Sequence, residues 1–211
     1  IRAVSLFSSA GIGELRLPSN INVVVANELL KPRANCYHYF YPDTTMLCGD
    51  ITHDDVKKQI ISIANESKCK LLIATPPCQG LSTLGKNKGQ EQYENDRRNY
   101  LVLEAFDVID ACDFDFVLIE NVPKFLEMYF PYDNAYRKLE EILKMKYEDV
   151  YNIKIKVLNA KDYGVPQSRP RAIIKMWKKG KNWSWPTKNR EITLKEAIGH
   201  LPTVAFCEAT E

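Results

Sequence analysis

Apolar residues fall along this chain in short unbroken runs, and the polar segments between them carry apolar positions near helical spacing. Ala3–Phe7 is such a run, followed at once by Ser-Ser-Ala-Gly-Ile-Gly, which predicts a buried strand, a tight turn and a helix start. Asn22–Asn27 (NVVVAN) is β-branched and predicts a second buried strand. Lys31–Phe40 predicts a helix with Pro32 in its first turn, where a missing N–H does no harm. Thr45–Gly49 predicts a third, short strand closed by Gly49-Asp50. Asp54–Glu66 places Val56, Ile60, Ile61 and Ile63 near one helical face. Leu71–Thr75 (LLIAT) predicts a fourth strand, halted by Pro76-Pro77. Leu84–Asn95 is polar, contains Gly85 and Gly89, has no apolar period and predicts a loop. Tyr100–Cys112 predicts a helix, Phe116–Ile119 a fifth strand and Asn134–Met145 another helix. Val150–Leu158 alternates apolar and polar residues, and Arg171–Trp177 follows as its partner, an antiparallel pair at a sheet edge.

Strand–helix alternation with unbroken apolar strands predicts an α/β fold: a mostly parallel sheet, covered on both faces, with an antiparallel edge addition. The composition agrees. A chain of 211 residues, 45% hydrophobic and 27% charged, suits one sizeable globular domain and excludes collagen-like, disordered and disulfide-scaffold classes. No apolar run approaches the roughly 18 residues of a membrane helix, so no membrane partner is expected. Cys36, Cys48, Cys69, Cys78, Cys112 and Cys207 form no Cys-x-x-Cys pair. They read as reduced thiols of a cytoplasmic protein, and no metal site is expected. Net charge is only +2, but Tyr151–Arg190 holds 11 Lys or Arg against the single acid Asp162, so it carries +10 and the remainder −8. Trp177, Trp183 and Trp185 lie in the same stretch. That suits a polyanion partner, and equally a solvated lysine-rich loop with tryptophan anchors.

In a parallel sheet, ligands bind beyond the carboxyl ends of the strands, so the residues placed there are candidates for chemistry. The first strand delivers Gly11-Ile12-Gly13, whose backbone can turn tightly and approach a ligand. Arg16 stands where a dinucleotide fingerprint wants a third small residue, which disfavours a nicotinamide cofactor, and no Gly-Lys-Ser/Thr motif supports triphosphate hydrolysis. The second strand ends near Glu28, an acid suited to ribose hydroxyls and equally to a helix N-terminus. The third ends at Asp50, the fourth delivers Cys78 and the fifth Glu120. Thr75-Pro76-Pro77-Cys78-Gln79-Gly80 is the sharpest signal. Two prolines stiffen the stem of the thiol and Gly80 frees the chain beyond it, which is what a nucleophile requires. The other five cysteines read as small buried hydrophobes. Glu120-Asn121 could merely cap a helix. Arg169 and Arg171 alternate and could form an exposed stripe, but Gln167 at the same spacing favours a site.

In their order and separation, PPCQG at 76–80, Glu120-Asn121-Val122 and Gln167-Ser168-Arg169-Pro170-Arg171 resemble the motifs of DNA (cytosine-5)-methyltransferases. Ser5–Gly13 (SLFSSAGIG) resembles that family's opening S-adenosylmethionine motif, Asn95–Leu103 the segment after its mobile loop, and Thr193–Pro202 (TLKEAIGHLP) the stretch beyond its paired arginines. The resemblance implies a Rossmann-like S-adenosylmethionine-dependent fold, methyl transfer to C5 of cytosine in duplex DNA, and S-adenosylhomocysteine as the spent cofactor. It implies that Cys78 attacks C6 of an extruded cytosine, that Glu120 holds N3 and the exocyclic amine, and that Arg169 and Arg171 stabilise the site. Ser8, Gly11 and Gly13 would form the cofactor turn and Phe7 would lie against the adenine, with Glu28 and Leu29 at the ribose and Asp50 and Ile51 at the adenine amine. Pro76 and Leu101 would line the same pocket. Pro77, Gln79, Ser82, Asn121, Val122 and Gln167 would meet the substrate base and its neighbours, and Lys86 and Lys88 the phosphates, from a loop that closes as a lid.

Ser5, Ser9 and Ile12 stand where the family often has Asp, Gly and Gly. The expected organisation is a catalytic domain over residues 1–202, with 203–211 leading towards a target-recognition domain that these residues do not include. Target recognition is therefore expected either from a second polypeptide or from a further part of the same one, beside duplex DNA as partner, and the expected location is cytoplasmic, with nucleoid association in a bacterium. Two alternatives share the fold: a catalytically idle DNA-binding subunit, and a methyltransferase acting on transfer RNA.

Overall fold

The computed structural model describes residues 1–77 and 97–202. Its main element is a seven-stranded sheet. Strands β1 (Arg2–Leu6), β2 (Asn22–Glu28), β3 (Thr45–Cys48), β4 (Leu71–Ala74) and β5 (Phe116–Asn121) are parallel. A two-stranded hairpin, β6 (Tyr129–Tyr132) and β7 (Ala135–Lys138), stands apart from it. Strands β8 (Tyr151–Asn159) and β9 (Pro170–Lys178) complete the sheet in the order β3-β2-β1-β4-β5-β9-β8, with β9 antiparallel to both neighbours. The antiparallel edge read from the alternation at 150–158 is therefore present.

The helices are α1 (Lys31–Phe40), α2 (Asp54–Glu66), α3 (Val102–Ala111), α4 (Leu139–Tyr147) and the short α5 (Leu194–Ile198). Unbroken apolar strands are explained by burial on both faces. Val4, Leu6, Leu72 and Ile119 pack on one side with Ile60 of α2, Phe106 of α3 and Leu143 of α4. Ala3, Leu71 and Ile73 pack on the other with Tyr37 of α1, and Trp183 lies against that cluster.

Three predicted elements are corrected. Asn134–Met145 is not one helix: Ala135–Lys138 is a strand, and α4 begins only at Leu139. Asp133 and Asn134 both hold positive φ (52° and 55°), the backbone of a two-residue hairpin turn that Asp and Asn tolerate, and the flanking alternation pairs Tyr132 with Ala135. Tyr100–Cys112 divides into a 3₁₀ turn at Arg97–Tyr100 and α3. Phe7 is not the last residue of β1; its φ is 58°, which ends the strand one position earlier. The loop predicted over Leu84–Asn95 lies outside the described residues.

Because β1 to β5 are parallel, their carboxyl ends share one edge. Strand β9 runs the opposite way, so its amino end comes to that same edge, with Ala172 beside Asn121.

Candidate active site

The opening turn is built by alternating handedness. Phe7, Ser9 and Gly11 all have positive φ (58°, 51° and 80°). Gly11 is required on a second ground: a Cβ there would lie 2.3 Å from the Tyr41 ring. Ser8 is buried, and its amide and hydroxyl both donate to the carbonyl of Asn27, at 3.0 and 3.2 Å. The Tyr41 hydroxyl donates to the Gly11 carbonyl at 2.9 Å. Gly13 has open space around it.

Glu28, buried at the end of β2, accepts one backbone N–H on each oxygen: Ser9 on Oε2 and Leu30 on Oε1, both at 2.9 Å. Each oxygen keeps a free lone pair for a hydroxyl donor. Asn27 ties the next crossover down, donating to the carbonyls of Leu47 and Gly49 at 2.9 and 3.0 Å. Asp50 accepts the amide and hydroxyl of Thr52 on Oδ1 (2.9 and 2.8 Å), leaving Oδ2 without a hydrogen bond among the described residues. Those bonds from Thr52, the backbone amide first, hold the carboxyl below its usual range. Ile51 is buried beneath it, Leu29 is exposed at 57%, and Phe7 and Leu101 are half-buried. This donor and acceptor set suits a nucleoside with ribose hydroxyls and an exocyclic amine.

At the other half of the edge, the Thr75 hydroxyl donates to the Phe7 carbonyl at 3.0 Å, joining the fourth strand's stem to the opening turn. Asn121 is 4% exposed and donates from Nδ2 to the Pro76 carbonyl at 3.1 Å, while its Oδ1 accepts the amide of Val122 at 2.8 Å. Glu120 and Arg171 form an ion pair, Nε to Oε1 at 3.0 Å. Both are partly buried, so the acid is presented at the rim with a fixed guanidinium behind it.

The structure thus gathers Ser8, Gly11, Glu28, Asp50, Ile51, Pro76, Glu120, Asn121 and Arg171 at the strand ends. Arg169 and Gln167 are not in the strand with Arg171; they are exposed in the preceding segment, where the amide of Arg169 donates to Asn159 Oδ1 at 2.8 Å. Cys78, Gln79, Ser82, Lys86 and Lys88 lie outside the described residues. Sequence reading missed Asn27, Thr75 and Tyr41 as braces. A polar residue closing an otherwise apolar strand was the available signal for the first two.

The basic stretch resolves into two parts. Lys161 pairs with Glu191, Lys188 with Asp162, and Lys181 with Asp115. Lys175 is 3% exposed; its Nζ donates to the carbonyls of Trp183 and Ser184 (2.9 and 2.8 Å) and sits 4.2 Å from the Trp185 ring centre. The tryptophans are therefore anchors. Lys154, Lys156 and Arg169 stay exposed and form no salt bridge among the described residues.

The sheet order and this edge define a Rossmann-like methyltransferase fold. It is shared with a prophage-encoded E. coli protein described as a DNA modification methyltransferase (TM-score 0.72, 22% identity, 97% of this chain and 56% of that one). It is shared also with the Entamoeba histolytica methyltransferase EhMeth (TM-score 0.66, 22% identity, 91% and 57%). The family described as C-5 cytosine-specific DNA methylase matches residues 1–205, and the chain belongs to it. The chain is 42% identical to the Type II methyltransferase M1.HgaI of Avibacterium volantium, over 97% of this chain and 57% of that protein. It is 30% identical to the Type II methyltransferase M1.HphI of Haemophilus parahaemolyticus, over 94% and 52%. It spans little more than half the length of these two curated relatives.

Proposed function

We propose that this chain carries the catalytic part of an enzyme that methylates C5 of cytosine in duplex DNA, with Cys78 as nucleophile and S-adenosylmethionine as methyl donor. The observation that carries the reading is the pairing of Glu120 with Arg171 beside Asn121, whose side chain grips the carbonyl of Pro76, two residues before the thiol. Glu28 and Asp50 retain free acceptors, which fits ribose hydroxyls and an adenine amine. When bound, the cofactor supplies an electrophilic methyl on a sulfonium.

Cytosine C5 is a poor nucleophile because its electrons belong to an aromatic ring. Cys78 adds its sulfur to C6 as the thiolate, which breaks the 5,6 double bond and places electron density on C5. As charge builds on the ring, N3 takes up a proton from water, and the Glu120 carboxylate, kept oriented by Arg171, accepts the N3–H and the exocyclic amine and so favours the protonated ring. After C5 has gained the methyl, loss of its proton and departure of the Cys78 sulfur restore the double bond. The reacting atoms are stacked inside a duplex, so the base must be extruded at a cost of a few kcal/mol. Lys154, Lys156 and Arg169 are exposed charges able to meet phosphate. Choice of DNA sequence rests with a target-recognition part outside these residues, on the same polypeptide or a second one; M1.HgaI and M1.HphI, which are much longer than the matched region, support that division.

The test is transfer of a labelled methyl group by the full-length protein, with any partner, to duplex DNA and to transfer RNA. Cys78→Ser is expected to abolish transfer to DNA, and Glu120→Gln to slow it by about 10²- to 10⁴-fold. Wild-type rates in the Cys78→Ser protein, or a methyl group appearing on transfer RNA in place of duplex, would overturn the reading.

A further inference from the structure

A buried acid beneath the opening turn has no part in the chemistry above. Glu14 closes the 3₁₀ turn at Ile12–Glu14 and is 7% exposed. Its Oε1 accepts the hydroxyl of Ser5 from β1, which is itself 2% exposed. Its Oε2 is buried without a hydrogen-bond partner, and Glu14 forms no salt bridge among the described residues. Tyr37 of α1 and Tyr41, which caps that helix, face it closely enough to feel its charge. Their rings lie 4.9 Å apart. The Tyr37 hydroxyl is also buried and without a partner, whereas the Tyr41 hydroxyl is bonded to the Gly11 carbonyl. Arg16, two positions on, is exposed and makes no salt bridge with Glu14. Strand β1, the turn and α1 therefore meet in one buried polar cluster that contains an acid and, among the described residues, no cation.

We propose that Glu14 is a positioning residue for cofactor binding: as a neutral carboxyl, anchored to Ser5, it braces the turn over residues 8–13 from below. The inference rests on the reading of that turn as the cofactor site. The chemistry favours the neutral form. Burial raises the carboxyl above its ordinary range, the Ser5 hydrogen bond opposing only in part. A proton on Oε2 turns an orphan acceptor into a neutral donor and removes the buried charge. Losing that proton would leave a buried charge that no cation among the described residues compensates, which the turn can relieve only by moving. Residues 8–13 would move with it, because the Tyr41–Gly11 bond, the left-handed Gly11 and the strained φ at Ser9 belong to the same unit.

The sign of the pH effect follows. Free chains lose the Glu14 proton in the ordinary carboxylate range, and the folded protein holds it to higher pH. Cofactor affinity is therefore full at low pH and declines as pH rises through the raised value. The test is calorimetric titration of the full-length protein with S-adenosylmethionine, between about pH 5 and 8.5, alongside Glu14→Gln and Glu14→Ala. Glutamine is the permanently neutral isostere: its affinity is expected to match the low-pH wild type and to stay flat where the wild type declines. Alanine removes the brace and is expected to weaken binding about tenfold across the range, with kcat at saturating cofactor within about twofold of wild type. A glutamine profile parallel to the wild type's, or an alanine variant with unchanged affinity, would overturn the inference while leaving the cofactor reading intact. A wild type that binds no cofactor at any pH would sink both.

Discussion

Two residues with side chains, Phe7 and Ser9, hold left-handed backbone in a turn where the family often places glycine at the second of them. For an ordinary residue that conformation costs about 1–2 kcal/mol. The Glu28 bond offsets it at Ser9, because the carboxylate receives the Ser9 amide itself and no side-chain group. Ser9→Gly therefore keeps the bond and removes the strain, while adding some entropy to the unfolded chain. A net gain of roughly 0.5 kcal/mol is expected in urea denaturation. A loss of stability would mean that the serine side chain does something this structure does not display. Gly11 was legible in the sequence, since Gly-x-Gly after a strand announces a tight turn. Glu14 was not: a lone acid beside a glycine turn reads as solvent-exposed, and only the arrival of Ser5, Tyr37 and Tyr41 from other elements buries it.

At the scale of elements, period and punctuation located every parallel strand, because burial on both faces leaves continuous apolar runs that need no knowledge of neighbours. Helix α4 was harder. Leu139, Ile142, Leu143 and Tyr147 are buried and the helical period is real, but the preceding Tyr-Arg-Lys belongs to a hairpin whose turn is made by Asp133-Asn134. The segment after β9 shows a different limit. Nothing local announces that Lys175, in the middle of a strand, will be buried, yet it pins Trp183 and Ser184 to the sheet through their carbonyls. Desolvation, and then the nearby Lys156, lower its pKa. Lys175→Met is expected to fill the space but strand two carbonyls, costing about 1–3 kcal/mol. Tryptophan fluorescence should shift to longer wavelength as Trp183 and Trp185 come free. An unchanged spectrum and unchanged stability would show that the rings hold the segment without the ammonium.

At the scale of the whole molecule, five parallel strand ends and one reversed strand bring together residues from 8 to 171 along a single edge. That convergence was readable from the order of strands alone, which explains why Glu28, Asp50 and Glu120 stand where parallel topology required them. The pairing of Glu120 with Arg171 needed the register of β9 against β5, and the departure of Arg169 and Gln167 from the strand reflects its start at Pro170. The central claim is that this edge supports covalent catalysis from the Pro-Pro stem. The most direct measurement is trapping. A duplex carrying 5-fluorocytosine, incubated with S-adenosylmethionine and the full-length protein with any partner, replaces the C5 proton by fluorine and blocks release of the sulfur. The account predicts a denaturant-stable protein–DNA adduct mapped by mass spectrometry to Cys78 and absent from Cys78→Ser. A protein that methylates ordinary duplex yet forms no adduct, or forms it at another residue, would contradict it.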